Sequence, residues 1–257
     1  MQFGTLKLDA CKYGWMLHSG KYIGKCLEMY GQYSEAEVHI LRSFLGEGSI
    51  AIDVGANIGD LTVPMSRFVG NSGRVVAIES HPETFKVLCA NLALNGLENV
   101  LPVNAFLTSS TGTVEKMGAW GPSAYVGDTW KPRQMTLDAF DMPRCDFIKI
   151  DVDGPELSII EGGAMLIEKH RPILYVENED RELSPRLLDL IMNGLGYRAY
   201  WHPAPIFDPA NFFGNTVNHW APDNIVSLMI LAIPKERPQA VGELHPVDSA
   251  DAWWPGL

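Results

Sequence analysis

Clustered metal-binding and redox motifs are missing from this sequence of 257 residues. Its four cysteines, Cys11, Cys26, Cys89 and Cys145, include no C-x-x-C pair, and its seven histidines form no H-E-x-x-H motif. The spacing therefore gives no support for a zinc site. It indicates reduced, structural cysteines in a chain that is long enough to need no disulfides.

Basic residues are scarce relative to acidic ones. The chain has 20 Lys and Arg against 31 Asp and Glu, so its formal net charge is −11. A surface this negative repels the phosphate backbone of a nucleic acid. We therefore expect no nucleic-acid partner.

Long apolar runs are also missing. The longest, from Ile225 to Ile233, is far shorter than the roughly 20 residues of a membrane-spanning helix. Residues 1–20 show no basic start followed by an apolar run, as a signal peptide would. These patterns predict a cytoplasmic protein with no membrane partner.

Short apolar runs alternate with helical patterns through the middle of the chain. This alternation is typical of βαβ units and predicts an α/β fold with a parallel sheet. The predicted strands are 49–54, 74–78, 100–105, 146–152, 172–176, 197–201 and 225–233. The predicted helices are 34–45, 57–68, 82–94, 155–170 and one from residue 184 to Gly194 or Gly196. A polar, Gly-rich segment over 109–132 predicts a β-hairpin or loop layer.

The domain organisation follows from the lack of any repeat, low-complexity segment or linker. We predict one domain over 1–257, with an N-terminal extension and capping helix in 1–46, a sheet core in 47–233 and a C-terminal tail in 234–257. The S-E-A-E sequence at 34–37 indicates a capping box for the first of the predicted helices. No helical pattern has an apolar face left unpaired, so the oligomeric state, a homo-oligomer included, is left open.

The turn after strand 49–54 has the sequence D-V-G-A-N-I-G. Gly55 and Gly59 remove Cβ atoms at the carboxyl end of a parallel strand, where open α/β sheets bind cofactors. Glu79 ends the next strand, and an acid at this point commonly accepts hydrogen bonds from ribose hydroxyls. The G-x-G-x-x-G spacing of dinucleotide sites is missing, and Asp53 would repel a phosphate. The pattern predicts an adenosine-containing ligand without phosphate, such as S-adenosylmethionine.

Three motifs together resemble the FkbM-type methyltransferases, a branch of the class I S-adenosylmethionine-dependent enzymes. They are D-V-G-A-N-I-G at 53–59, T-L-D-A-F at 136–140 and F-I-K-I-D-V-D-G-P-E at 147–156, with further matching blocks at 30–34, 171–177 and 211–215. The resemblance implies a Rossmann-like class I methyltransferase fold, with a mostly parallel seven-stranded sheet, a reversed last strand and helices on both faces. It also implies S-adenosyl-L-methionine as cofactor and O-methylation of a hydroxyl on a small molecule, such as a sugar, a glycoside or a polyketide.

The same resemblance implies roles for individual residues. Asp53, Gly55, Asn57 and Gly59 would line the methionine end of the cofactor, Glu79 the ribose, Asn104 and Ala105 the adenine, and Asp151 the floor between cofactor and acceptor. Two positions depart from the family pattern. Asp153 stands where the family often has glutamate, and the apolar stretch 227–230 stands where the last strand often has an asparagine.

Transfer of a methyl group to a hydroxyl benefits from a base that takes the hydroxyl proton. Asp151 and Glu177 end neighbouring strands, so both are candidates for this base. The long loop over 201–220 contains five aromatic residues, which could stack on the acceptor. Its two histidines, His202 and His219, are further base candidates.

Two questions stay open on the sequence alone. Asp151, Glu177 and Asn178 could meet as three oxygen donors for Mg²⁺ or Mn²⁺, although carboxylates at strand ends need no metal and a metal-free transfer is favoured. The chain could also be a nicotinamide-dependent oxidoreductase, or a homologue that binds S-adenosylmethionine without catalysis.

Overall fold

The chain forms a large central sheet, a two-stranded hairpin and a small three-stranded sheet. The structure is a computed structural model that describes residues 5–113, 133–221, 226–238 and 241–254. The strands are β1 (Lys7–Cys11), β2 (Gly14–His18), β3 (Ile50–Val54), β4 (Arg74–Glu79), β5 (Val100–Asn104), β6 (Phe106–Leu107), β7 (Gly112–Thr113), β8 (Arg133–Met135), β9 (Phe147–Ile150), β10 (Ile173–Glu177), β11 (Tyr197–Pro205), β12 (Val226–Pro234) and β13 (His245–Pro246). The helices are α1 (Ile23–Tyr30), α2 (Glu35–Phe44), α3 (Thr62–Val69), α4 (Pro82–Leu94), α5 (Glu156–Glu161), α6 (Ala164–His170) and α7 (Ser184–Asp189), which continues as a π-helical turn over Leu190–Gly194. Within the described ranges, no helix is long and apolar enough to cross a membrane.

The central sheet has the strand order β13-β11-β12-β10-β9-β3-β4-β5. Strands β10, β9, β3, β4 and β5 pair in parallel, whereas β12 runs antiparallel between β10 and β11. The predicted seven-stranded sheet with a reversed last strand is therefore confirmed. An eighth strand, β13, comes from the segment that we expected to be only a tail, and it pairs with the edge of β11.

Residues that alternate along β3 face two separate cores. Ile52 packs into one core with Ile159 of α5, and Ala51 packs into the other with Leu41 of α2 and Met65 of α3. Burial on both faces is the usual state of parallel strands under covering helices. It explains why the central strands are near-continuous apolar runs in the sequence.

Two of the predicted helices differ from those in the structure. The helix after β3 begins at Thr62 instead of residue 57, because Asn57 and Gly59 have φ angles of 47° and 94°, outside the helical region. The helix predicted over 155–170 is split into α5 and α6 at Gly162, where a Cβ atom would lie 2.2 Å from the carbonyl oxygen of Thr108. Of the hairpin or loop predicted over 109–132, residues 114–132 lie outside the described residues.

A hairpin of β1 and β2, which the sequence did not reveal, lies against α4. The side-chain amide oxygens of Asn95 and Asn91 accept the backbone N–H groups of Trp15 and Leu17, at 2.9 and 2.6 Å. The amide nitrogen of Asn91 also donates to the carbonyl oxygen of Ile58, at 2.8 Å. The hairpin is thereby held next to the turn that follows β3.

Candidate active site

The turn over residues 55–59 lies against the end of β9. Gly55 has a φ of 80°, and a Cβ atom there would lie 1.8 Å from the carbonyl oxygen of Asp151. A Cβ atom at Gly59 would lie 3.0 Å from a methyl carbon of Leu88. A side chain at either glycine would therefore meet the protein itself, and glycine is needed at 55 because the turn closely approaches the end of β9.

Glu79 connects the end of β4 to this turn. Its two carboxylate oxygens accept the backbone N–H groups of His81 and Asn57, at 2.7 and 3.0 Å. Burial raises the pKa of Glu79 to about 7, although the two backbone N–H groups lower it. A carboxylate oxygen has two lone pairs, so the group can still accept ribose hydroxyls. Asn104 lies alongside, since its amide nitrogen donates to the carbonyl oxygen of Glu79 at 2.7 Å.

Lys149, which the sequence analysis did not single out, lies at the centre of the site. Its ammonium nitrogen is 3.2 Å from a carboxylate oxygen of Asp151 and 3.5 Å from one of Asp53, and its side chain is only 2% exposed. The second carboxylate oxygen of Asp53 accepts a hydrogen bond from the hydroxyl of Thr62, at 2.6 Å. A lysine inside an apolar strand of the F-I-K-I-D-V motif was the available signal for this buried ion pair.

The two acids beside Lys149 differ in exposure. The side chain of Asp53 is fully buried, whereas that of Asp151 is 30% exposed at the open edge of the sheet. Burial alone would lower the pKa of Lys149, but the negative charges of Asp151 and Asp53 raise it, so the ammonium stays protonated. Asp53 therefore contacts Lys149 and Thr62 within the protein, whereas Asp151 can reach a ligand.

Two further acids, the buried Glu37 and the half-buried Asp60, lie near the same lysine. Burial, reinforced by the charge of Asp151, raises the pKa of Glu37 to about 7. Burial also raises the pKa of Asp60 to about 8, although Lys149 lowers it. The predicted capping box is not formed, because Ser34 has a φ of 41° and its hydroxyl donates to the Glu37 carboxylate at 2.7 Å instead of capping α2.

Aromatic side chains from the N-terminal region and the long loop stand beside these acids. The ring of Tyr22 lies 6.4 Å from that of Tyr33 and 5.3 Å from that of Trp220. Burial raises the pKa of Tyr22, and the nearby charges of Asp151 and Glu179 raise it further. We call Tyr22, Tyr33 and Trp220 the aromatic wall, of which Tyr22 and Tyr33 lie close enough to Asp151, just after β9, for its charge, in addition to burial, to raise their pKa values.

Glu177, predicted as a candidate base, is engaged in a network at the end of β10. Its carboxyl accepts the backbone N–H of Asp153 at 3.1 Å and forms a hydrogen bond with the carboxyl of Glu156. Glu156 in turn accepts the backbone N–H of Val152 at 3.2 Å. Burial and then the charge of Asp151 raise the pKa of Glu177 to about 10, so this group holds a proton at neutral pH.

The donors that we considered for a metal ion are also engaged within the protein. Asn178 is buried, and its amide nitrogen donates to the hydroxyl of Ser184 at 2.9 Å. In the part of the chain that the structure describes, no group of three or more His, Cys, Asp or Glu residues is arranged to hold a metal ion.

The two histidines of the long loop lie in different surroundings. His202 is buried, its imidazole lies 2.7 Å from the hydroxyl of Tyr175, and burial lowers its pKa to about 4. This histidine is a neutral core residue. His219 is exposed, and its backbone N–H donates to the hydroxyl of Tyr30 in α1 at 3.0 Å.

The long loop is tied to the connection between α1 and α2. The backbone N–H of Phe212 donates to the side-chain oxygen of Gln32 at 3.0 Å, and that of Phe213 donates to the carbonyl oxygen of Tyr30 at 3.1 Å. The side chains of Phe212 and Phe213 are 53% and 46% exposed. Both side chains are therefore about half exposed to solvent, beside the connection between α1 and α2.

The residues at this edge fit S-adenosylmethionine better than a phosphate-bearing cofactor. Four acids, Glu37, Asp53, Asp60 and Asp151, surround the single ammonium of Lys149. Asp53 and Asp151, its two ion-pair partners, already outnumber this ammonium, and the remaining negative charge repels phosphate and favours a cationic ligand. Glu79, at the end of the neighbouring strand, supplies an acceptor for paired hydroxyls.

Comparisons with known proteins agree with this fit. A family model described as the methyltransferase FkbM domain matches residues 53–199. A tRNA(Phe) (4-demethylwyosine(37)-C(7)) aminocarboxypropyltransferase of Methanocaldococcus jannaschii is 32% identical over 77 residues, which are 30% of each chain. The alignment thus spans less than a third of that curated relative.

Solved structures share the fold at low sequence identity. Trm5b from Pyrococcus abyssi is 14% identical with a TM-score of 0.53, over 89% of this chain and 56% of that one. Methyltransferase FkbM from Methylobacillus flagellatus KT is 19% identical with a TM-score of 0.49, over 72% of this chain and 43% of that one. Since the family model matches more than half of the sequence, this chain belongs to the FkbM family of S-adenosylmethionine-dependent methyltransferases.

Proposed function

We propose that the protein transfers a methyl group from S-adenosylmethionine to a hydroxyl of a small molecule, such as a sugar, a glycoside or a polyketide. The observation that carries this proposal is the position of Asp151, which is partly exposed, paired with the buried Lys149 and close to the aromatic wall. When bound, the cofactor supplies a methyl group on a positively charged sulfur.

In this proposal the cofactor lies along the carboxyl ends of β3 and β4. Glu79 accepts the ribose hydroxyls, the backbone of the turn over 55–59 contacts the methionine end, and Asn104 borders the adenine. Support comes from the two backbone N–H groups that fix the Glu79 carboxylate and from the bond between Asn104 and the backbone of Glu79. A carboxylate fixed in this way needs little reorganisation to bind hydroxyls.

Asp151 takes the proton of the acceptor hydroxyl as the new carbon–oxygen bond forms. Lys149, whose ammonium lies at 3.2 Å, holds this carboxylate in position. Alignment of the two reactants supplies most of the rate of such a displacement, and the base supplies the remainder. Glu177 holds the loop at Asp153 through its hydrogen bonds, and His219 lies at the rim as a second candidate for the base.

A small acceptor is favoured over a nucleic acid by the charge of the chain. The curated relative named above acts on tRNA(Phe) according to its name, but it matches only 77 residues of this chain. The formal net charge of −11 and the acids around the aromatic wall oppose contact with phosphates. We propose a metal-free transfer, because Glu177 and Asn178 already hold partners within the protein.

The test is methyl transfer from labelled S-adenosylmethionine to a panel of hydroxylated sugars, glycosides and polyketides, with bulk tRNA in a parallel reaction. We expect a methyl ether on at least one small acceptor, detected by mass spectrometry, and equal turnover with and without a chelator. Methylation of tRNA alone would overturn the small-acceptor proposal. Activity that vanishes with a chelator and returns with Mg²⁺ or Mn²⁺ would overturn the metal-free mechanism.

The long loop belongs to the acceptor side in this proposal. Replacing Phe212 and Phe213 by alanine should raise the acceptor KM or lower kcat and leave cofactor affinity nearly unchanged. Val217→Ala is the matched control, since Val217 is an apolar residue of the same loop with 55% exposure. Equal losses of acceptor and cofactor affinity would indicate a structural role for the two phenylalanines.

A further inference from the structure

The end of α1 holds the last part of the long loop through a buried tyrosine. The hydroxyl of Tyr30 donates to the carbonyl oxygen of Val217 at 3.2 Å and accepts the backbone N–H of His219 at 3.0 Å. The side-chain nitrogen of Asn215 donates to the carbonyl oxygen of Met29 at 3.2 Å. Tyr30 is only 1% exposed. This part of the loop is therefore fixed to a side chain that is itself held inside the protein.

Gln32, two residues after α1, holds an earlier part of the same loop. Its side-chain oxygen accepts the backbone N–H of Phe212 at 3.0 Å, and its side-chain nitrogen donates to a carboxylate oxygen of Asp208 at 2.9 Å. Gln32 is buried. A backbone N–H donates and a carboxylate accepts, so these two partners fix the orientation of the amide. A side-chain amide serves both partners at once, because it carries a donor and an acceptor.

Two aromatic rings of the loop pack over the residue between Tyr30 and Gln32. Gly31 has a φ of 66°, and a Cβ atom there would lie 2.8 Å from the ring of Phe212 and 2.9 Å from that of Phe213. Both rings thus lie on the backbone of Gly31, and each keeps about half of its surface exposed. Exposed apolar surface that is held in place often marks a ligand-binding groove.

The opposite end of α1 lies near the proposed base. Tyr22 directly precedes α1, and its ring lies 5.3 Å from that of Trp220 at the end of the long loop. Burial and then several nearby charges, including that of Asp151, raise the pKa of Tyr22 to about 12, so Tyr22 and Asp151 are close to each other. One end of α1 therefore lies beside the base, and the other end holds the aromatic loop.

We propose that Tyr30 and Gln32 are positioning residues, which hold the aromatic side chains of the long loop where the acceptor binds. The family model matches residues 53–199, so α1 and the long loop both lie outside the matched region. Proteins that share a fold differ in substrate through loops that a rigid scaffold positions. This inference rests on the proposed function, because it concerns the same acceptor site.

An exchange of donor and acceptor tests the role of Gln32. Gln32→Glu places an oxygen opposite the Asp208 carboxylate, and Asp208→Asn places two amide nitrogens opposite each other. Each should raise the acceptor KM by about 10-fold, since a hydrogen bond is lost and a repulsive contact replaces it. In the double variant the amide lies on residue 208 and the carboxylate on residue 32, so the bond forms again in the reverse direction. Its KM should return to within about 3-fold of the wild-type value.

Tyr30→Phe tests the second holding point. It removes only the hydroxyl, and the acceptor KM should rise by about 3- to 10-fold. Tyr197→Phe is the matched control, because Tyr197 is also buried and its hydroxyl donates to the carbonyl oxygen of Pro172 at 2.9 Å, at the amino end of β10. The control should keep the wild-type KM, and the cofactor Kd should stay unchanged in every variant.

Hydrogen exchange with mass spectrometry measures the hold on the loop without any acceptor. Gln32→Glu and Tyr30→Phe should each speed exchange in peptides from residues 207–220 by about 10-fold and leave peptides from β3 and β4 unchanged. The double variant should exchange at the wild-type rate. Wild-type exchange in Gln32→Glu would contradict its hold on the loop.

The outcomes separate this inference from the proposed function. An unchanged acceptor KM in a variant whose loop exchanges faster would overturn the positioning role and leave the methyl transfer in place. Equal rises in the acceptor KM and the cofactor Kd would also overturn it, since they indicate general structural damage. So would a double variant with a KM no lower than that of either single variant. Transfer to no hydroxylated acceptor would overturn the proposed function and this inference with it.

Discussion

Two groups of acids occupy the same edge of the sheet and differ in what surrounds them. At the end of β9, Asp151 lies 3.2 Å from the buried ammonium of Lys149. At the end of β10, Glu177 has a backbone N–H and the carboxyl of Glu156 as its partners. Both acids follow apolar strands, so their positions in the sequence suggest equal roles. Burial and neighbouring charges keep a proton on Glu177, whereas Asp151 is partly exposed beside a cation, so the two acids differ in their chemistry.

The two groups also influence each other. The charge of Asp151 is the second largest cause, after burial, of the raised pKa of Glu177. The proton on Glu177 therefore depends in part on the neighbouring Asp151.

Asp151→Asn tests the acid at the end of β9 and should have the largest effect. The substitution is nearly isosteric and removes the base, so kcat should fall by about 10²- to 10⁴-fold, whereas cofactor affinity should change little. Asp153→Asn is the matched control, because Asp153 is an exposed acid two residues away and asparagine tolerates its φ of 58°. Near-normal turnover of Asp151→Asn would move the role of base to His219.

Gly55→Ala tests whether the close approach between the turn and the end of β9 is essential. The new Cβ would meet the carbonyl oxygen of Asp151, whereas at Gly96, with a φ of 62°, it would meet no atom within 4 Å. Gly96→Ala should cost about 1–2 kcal/mol from backbone strain alone. Gly55→Ala should cost more than about 3 kcal/mol, because overpacking adds to that strain. Similar costs in urea unfolding would contradict the role that we give to Gly55.

Glu177→Gln tests the protonated acid at the end of β10 and should have the smallest effect. A glutamine can still accept the N–H of Asp153 and donate to Glu156, as the protonated carboxyl does. We expect kcat to fall by less than about 10-fold, in contrast to the loss in Asp151→Asn. A loss as large as that of Asp151→Asn would identify Glu177 as the base.

The apolar strands and the ends of those strands were predictable from the sequence. Strands β3, β4, β9 and β10 are runs buried on both faces, and such runs are readily recognised. Glu79 and Asp151 follow from the position of strand ends, since parallel strands end at one edge of a sheet. The reversed strand β12 followed from the family resemblance and not from periodicity.

The charge network of the site was not predictable in the same way. Lys149 has its partners on β3, on α2 and in the turn, so the contacts join residues as far apart in sequence as Glu37 and Asp151. Glu37 fitted a capping box, whereas in the structure Ser34 has a φ of 41° and the Glu37 side chain is buried. Gly55 is a further example. The motif predicted a glycine turn, but it did not reveal that the carbonyl oxygen of Asp151, almost 100 residues away in sequence, lies against this glycine.

Titration of S-adenosylmethionine into the wild-type protein and Glu79→Ala tests the central claim, that the cofactor lies between β3 and β4, most directly. Above its pKa of about 7 the Glu79 carboxylate is charged, and a hydrogen bond to a charged group contributes about 1.5–3 kcal/mol. At about pH 8, Glu79→Ala should therefore raise Kd by about 10- to 150-fold. Glu98→Ala, which removes an exposed glutamate before β5, should leave Kd unchanged. An unchanged Kd in a folded Glu79→Ala protein would contradict the account.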